Sequence, residues 1–300
     1  EGWGWGAGAG AGEGEGAGEG AGEGAGAGWG AGEGAGWTSW RTNMKGYPVS
    51  ERKQSIMRRI VVGYSGGVTS AWAAAWALRQ FPKDEVVWLF HDTKEEHPDT
   101  YRFLREFSEA VGHPITEQSD GRSVTQVFRD EHAIANNRMA FCSRILKAEQ
   151  RDKYFKMLRA AGVIDITNVL GFSAIEWQRV QRATARGWQG GYKTAFPLID
   201  GKVTKQQAAD YCVSLGVSPP AMYHWSEHAN CIGCVRGGKA YWLKVAEREP
   251  GVFQQRIDLE AEFGHTILKD TSLIQLQKTG LKRAVRQRES IDIGPCECGG

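Results

Sequence analysis

Residues 59–77 read RIVVGYSGGVTSAWAAAWA, and no other stretch constrains the fold as strongly. A β-branched run, Ile60, Val61 and Val62, ends at Gly63-Tyr64. Ser65-Gly66-Gly67-Val68-Thr69-Ser70 follows, and then an Ala- and Trp-rich helix-forming run begins. A buried strand, a glycine turn and a helix N-terminus in that order gather backbone N–H groups and the positive end of a helix dipole at one mouth, which suits an oxyanion. Ser65, Thr69 and Ser70 add hydroxyl donors there. The same residues also fit an ordinary strand-to-helix turn, with Gly for positive φ and Ser as helix cap. The stretch is neither a Gly-Lys-Ser/Thr phosphate loop nor a Gly-x-Gly-x-x-Gly fingerprint.

Downstream the pattern alternates. Residues 86–90 (VVWLF) read as a second buried strand and 98–111 as a helix with Pro98 near its first turn. A weak third strand is expected over 114–117, a long amphipathic helix over 144–161, a strand over 167–172 and a helix over 176–186. Strands separated by helical runs predict an α/β fold with a doubly wound, mostly parallel sheet, whose ligands sit at the carboxyl ends of the strands. Loops 65–70, 91–97 and 171–179 leave those ends, and all three are polar. After Pro197 the texture changes to a helix over 204–215, a break at Pro219-Pro220, a Cys-x-x-Cys and helical runs over 241–249 and 253–263. The expected organisation is a tail over 1–36, a linker over 37–56, a nucleotide-binding α/β domain over 57–200 and a helical, cysteine-containing region over 201–300.

The tail has Gly at every even position and Ala, Glu or Trp at the odd ones. It offers too little side chain to offset its backbone entropy, so it is expected to be disordered and is set aside, with Met44 and Met57 as candidate starts. Its charges are Glu1, Glu13, Glu15, Glu19, Glu23 and Glu33; against a net charge of +2 for the whole chain, residues 37–300 therefore carry +8. That balance favours an anionic ligand or a nucleic acid, and equally describes a solvated basic surface. No apolar run approaches the roughly 20 residues needed to span a bilayer, and no secretory leader is seen, so a cytoplasmic location is expected.

There are six cysteines: Cys142, Cys212, Cys231, Cys234, Cys296 and Cys298. Cys231-Ile-Gly-Cys234 has the spacing that points two thiolates at one metal. Cys142 stands at a helix start among basic residues, which are expected to lower its pKa and suit it to a thiolate ligand. Cys212 lies in an apolar helical pattern and reads as core. The candidate ligand set is thus Cys142, Cys231 and Cys234 with Cys296 or Cys298 as a fourth, and spacing alone does not separate zinc from an iron–sulfur cluster.

Five ordered motifs, SGGVTS, HDTKEEHPDTYRF, NNRMAFCSRILK, GFSAIEWQRVQR and CIGCVRGGKAYW, together resemble the phosphoadenosine phosphosulfate (PAPS) reductase family. That family lies within the adenine-nucleotide alpha-hydrolase-like group that carries the PP-loop. The similarity covers about residues 59–298 and is closest to phage and bacterial members. It implies the PP-loop version of the doubly wound fold and an adenine nucleotide (ATP, adenosine phosphosulfate or PAPS) held by Ser65, Gly66, Gly67, Thr69 and Ser70. Asp92, Thr93, Gly171, Glu176 and Arg179 would frame the nucleotide, with Lys147 and Arg144 neutralising charge. Cys142, Cys231, Cys234 and Cys296 would carry a 4Fe-4S cluster, zinc being the fallback, with Cys298 as the attacking thiolate; the roles of Cys296 and Cys298 are interchangeable on sequence.

Four departures stand out. Thr69 replaces the Asp of the ATP pyrophosphatases, and Phe141 precedes Cys142 where adenylylsulfate reductases have tandem cysteines. Glu297-Cys298-Gly299 lacks the Leu-His that ends the reductase motif, and Ser173 replaces a frequent arginine. The function so implied is sulfur reduction or transfer on an adenine nucleotide, with a thioredoxin-like or other thiol donor. The alternatives are an ATP-dependent sulfurtransferase acting on tRNA or DNA, and a zinc-stapled nucleotide- or nucleic-acid-binding module without catalysis.

Overall fold

The computed structural model describes residues 57–280. The tail over 1–36, the linker over 37–56, Cys296 and Cys298 lie outside the described residues. Five strands, β1 (Arg58–Gly63), β2 (Val86–Asp92), β3 (Ile115–Ser119), β4 (Asp165–Leu170) and β5 (Lys193–Ala195), form one sheet in the order β3-β2-β1-β4-β5. Every pairing is parallel: Ile60 lies opposite Val86 and Thr167, and Gly63 opposite Leu89 and Leu170. Parallel strands need crossovers, and the helices supply them: α1 (Val68–Gln80) and α2 (Pro98–Val111) follow β1 and β2. The longer passage from β3 to β4 holds α3 (Val124–Asp130), α4 (Phe141–Ser143) and α5 (Glu149–Ala160); α6 (Trp177–Gly190) joins β4 to β5. Beyond the sheet come α7 (Pro197–Asp200), α8 (Lys205–Ser214), α9 (Lys239–Arg248), α10 (Pro250–Phe263) and α11 (Leu273–Thr279). No helix among the described residues is long and apolar enough to cross a membrane.

Strand β1 is central and buried on both faces, as its unbroken Ile60-Val61-Val62 run requires. Ile60 and Val62 join Trp88, Phe90, Phe103 and Phe107 on one face; Val61 joins Leu89, Phe155, Leu158 and Ile166 on the other. This is the period-two alternation of a strand. Helix α1 presents Ala71, Ala74 and Ala75 to the first face, and such small side chains let α8, with Ala208, Ala209 and Cys212, join the same core. A second core gathers Val124, Val127 and Phe128 of α3 with Trp242, Val245, Phe253 and Leu259 of the C-terminal helices, and Cys142 and Cys231 pack at its edge.

One local expectation is corrected, and three short elements escape the sequence reading. The helix over 144–161 is not uniform: residues 144–148 form a π-helical turn between α4 and α5. Helix α3 has no long apolar stripe and is announced only by its capping box, Ser123 with Gln126. Strand β5 is three residues long, and neither β5 nor α11 carries a pattern long enough to stand out.

Trp88 is fully buried between Tyr64, Phe107 and His113, with ring centroids at 5.4, 5.8 and 4.9 Å. Truncation there leaves a cavity on the central sheet face. Trp88→Ala is expected to lower unfolding free energy by about 3–5 kcal/mol in urea titrations.

Candidate active site: an anion loop joined to a cysteine turn

The order of strands reverses across β1, so a crevice opens at the carboxyl ends of β1 and β4. The loop between β1 and α1 lies there. Gly66 adopts φ +78°, and a Cβ on it would stand 2.4 Å from Thr100 Cγ2, so both conformation and space demand glycine. The Ser65 amide donates to Ser70 Oγ at 3.1 Å, and Ser70 Oγ donates to the Gly67 carbonyl at 2.8 Å, which folds the loop over the start of α1. Gly67 caps α1 without a side chain. The Tyr223 hydroxyl takes up the Val68 N–H at 3.3 Å, and Ser65 stays exposed at the mouth. From the β4 side, Gly171 packs against the loop: a Cβ on it would lie 2.5 Å from the Thr69 carbonyl oxygen and 2.7 Å from the Ser70 nitrogen.

The loop after β2 builds the second wall. Asp92 Oδ1 accepts from the Lys94 amide at 2.8 Å and the Tyr101 hydroxyl at 2.6 Å, while Oδ2 pairs with Lys94 Nζ at 2.8 Å. Burial opposes the charge, but these donors hold the Asp92 carboxyl below its usual range. Glu96 is buried, and its Oε1 accepts from Lys147 Nζ at 2.9 Å and from Thr93 Oγ1 at 3.1 Å. Burial works against the Lys147 ammonium, yet the Glu96 carboxylate and the adjacent Cys231 raise its pKa well above the usual value. Glu96 Oε2 is buried with no hydrogen-bond partner among the described residues.

The cysteine turn docks directly on this loop. Cys231 forms an isolated antiparallel bridge with Glu96, and the Ile232 amide donates to the Glu95 carbonyl at 2.9 Å. Cys231 Sγ lies 3.1 Å from Thr93 Oγ1 and 3.4 Å from Glu96 Oε1. The Tyr241 hydroxyl braces the turn, accepting from the Cys234 amide at 3.1 Å and donating to the Cys231 carbonyl at 3.4 Å. Beneath it Arg256, 1% exposed, donates to Thr125 Oγ1 at 2.8 Å and to the Gly233 carbonyl at 3.5 Å, and ion-pairs with Glu95. Against the lowering expected from its basic neighbours, burial and the neighbouring Cys234 push the Cys142 thiol up to about 11, and burial likewise raises Cys231 and Cys234. Cys142 and Cys231 pack against the same core, and Cys234 lies on the turn with Cys231. Their chemistry suits a thiolate-bound metal, which would deprotonate them. Among the described residues, however, no three His, Cys, Asp or Glu side chains stand placed to hold a metal ion.

The remaining site residues divide. Ser173 and Glu176 form a reciprocal capping box, and Glu176 also ion-pairs with Arg179, whose guanidinium lies 4.2 Å from the Phe172 ring centroid. Arg144 turns to the surface and pairs with Glu149 at 2.5 Å. Sequence reasoning missed Tyr223, Thr100, Tyr101, Glu96 and Arg256. Tyr223 sits in the segment that leads from Pro220 to Cys231, and Asp99 anchors that segment by accepting from the Ala221 amide at 2.6 Å. A single glutamate or arginine inside a helical or polar run gives no periodic signal, so burial alone reveals Glu96 and Arg256.

Residues 59–166 match the family model described as the phosphoadenosine phosphosulfate reductase domain. The match runs from β1 into β4; it takes in the anion loop, Glu96, Cys142 and Lys147, and it ends before the cysteine turn. A comparison with curated proteins gives no match.

Two substitutions test the construction of the site. Gly171→Ala forces the Thr69–Ser70 backbone to move, and sulfate affinity by calorimetry is expected to fall by at least about tenfold, about 1.4 kcal/mol. An unchanged affinity would place the anion elsewhere. Arg256→Ala strands Glu95 in the interior, with an expected loss of about 3–5 kcal/mol by urea unfolding. Faster alkylation of Cys231 and Cys234 should accompany that loss.

Proposed function

We propose, on the premise that residues 59–166 are a domain of the phosphoadenosine phosphosulfate reductase family, that this protein is an enzyme that binds an adenine sulfonucleotide and cleaves its sulfur–oxygen bond. One observation carries the reading: the segment whose Tyr223 touches the anion loop also brings Cys231 to the Glu96–Lys147 pair. Oxyanion binding and sulfur chemistry therefore share one crevice. Ser65, Gly66, Gly67, Thr69 and Ser70 hold the sulfate or phosphate through backbone and hydroxyl donors. Asp92, Thr93, Gly171, Glu176 and Arg179 frame the nucleotide, and Lys147 offsets charge that builds as the bond breaks.

In the reductive step a thiolate, Cys298 by preference, attacks the sulfonyl sulfur. An S–S bond forms, the S–O bond breaks, and its electron pair leaves on the nucleotide phosphate. A second thiol, from a small thiol or a thioredoxin-like donor, then attacks the cysteine sulfur and expels sulfite. The two thiols end as a disulfide, and the sulfur gains their two electrons. Cys142, Cys231 and Cys234, with Cys296, are the residues that would hold a 4Fe-4S cluster, or zinc in its place. Such a group would orient the substrate relative to the attacking thiolate.

The second reading is an ATP-dependent sulfurtransferase with a tRNA or DNA acceptor, favoured by the charge of +8 on residues 37–300. Thr69 in place of an acidic residue counts against it.

The deciding assay offers adenosine phosphosulfate, PAPS or ATP to anaerobically purified protein with dithiothreitol. Sulfite from a sulfonucleotide is the expected product, and pyrophosphate from ATP in the presence of nucleic acid would replace this reading by the second. Cys298→Ser should lower sulfite formation at least about a thousandfold. Cys231→Ser should remove iron, sulfide and brown colour from the purified protein; a variant that stays brown excludes this turn from the cluster.

A further inference from the structure

Helix α6 is almost unburied. Over its length Gly187 alone is buried, and its register follows from 3.6 residues per turn. Trp177 and Trp188 are eleven residues apart, so they share one flank within about 20° and stand about 16 Å apart along the axis. They are 56% and 82% exposed, unusual for the largest side chain. Arg182 and Arg186 are exposed and lie about 150° around the helix from the tryptophans. Between these flanks, opposite Gly187, the outward face carries Gln178 and Gln181. No Asp or Glu occurs from Trp177 to Gly190.

At the far end Arg159 donates to the Gly191 carbonyl at 3.1 Å, adding a cation. Beside Trp188 the surface drops into a depression of about 370 Å³ whose walls include Ile164, Ile166, Tyr192 and Lys193. At its near end the helix starts at Glu176 and Arg179, beside the anion crevice.

We propose that α6 is a docking helix for single-stranded nucleic acid. Phosphates lie along the Arg182–Arg186 flank, bases stack on Trp177 and Trp188, and the glutamines reach base edges between them. The occupant follows from chemistry: an unopposed row of guanidinium groups selects a polyanion, and two exposed indole faces select unstacked bases. A membrane surface requires a continuous apolar face, and the outward face here is glutamine. An acidic polypeptide would use the arginines and leave both indoles in water.

The inference is independent of the sulfonucleotide chemistry, and the test separates the two. Fluorescence anisotropy on the full chain with labelled oligothymidylate and oligouridylate is expected to show saturable binding that weakens with salt. A duplex of the same length should bind more weakly. Trp188→Ala should weaken binding about tenfold. Arg182→Gln with Arg186→Gln should reduce the logarithmic salt slope by about 1.4, the share of two phosphate contacts on a single strand. All three side chains are exposed, so thermal unfolding should be unchanged and serves as the control for folding. Absence of saturable binding, variants that bind like the parent, a duplex that binds as tightly as the strand, or equal competition by polyglutamate would each overturn the proposal. Sulfite formation measured on the same sample reports separately on the crevice.

Discussion

The buried Arg256 is the constraint on which the geometry of the crevice rests. An arginine 1% exposed must be neutralised and hydrogen-bonded in place, and this one draws its partners from three separate parts of the chain. Glu95 lies after β2, Thr125 on α3, and Gly233 inside the cysteine turn. Glu95 also accepts from the Thr125 amide at 2.8 Å, which closes the network. A guanidinium suits this work because its planar fork serves several acceptors at once without losing its charge. With Glu95 fixed, its neighbour Glu96 is aimed back toward Cys231 and Lys147, so one ion pair positions the next.

The two cores divide the labour. The sheet and its flanking helices supply a rigid parallel platform with β1 at its centre, and the anion loop inherits its position from that strand. The C-terminal helices share a core with α3 and carry the cysteine turn. Fold and chemistry are separate matters in such architectures. What is particular to this chain is that the Tyr223–Cys231 segment spans both, from the first turn of α1 to the loop after β2.

Much of the platform was legible in the sequence. Ile60-Val61-Val62 before a glycine turn specifies a doubly buried strand and its loop, and the apolar run of β2 and the Pro98 start of α2 are equally plain. The cysteine spacing also pointed to one turn. What escaped notice depends on long-range contact. Strand β5 is too short to show a period, and the π-helical turn over 144–148 continues the pattern of its neighbours. Helix α3 shows itself only by its cap. Glu96 and Arg256 stand within polar or helical runs with no signal of their own, and only the packing of distant elements around them makes them interior. Tyr223 has the same origin, since its hydroxyl meets Val68 across a large separation in sequence.

The phenol on the first turn of α1 gives the crevice a built-in occupant. Its hydroxyl takes up an amide that an incoming oxyanion would also want, and Gly67 leaves no side chain between them: a Cβ there would come within 2.9 Å of that hydroxyl. An oxyanion held as proposed would therefore trade one oxygen for another at that amide. The same segment continues to Cys231, which bridges Glu96 in the loop after β2.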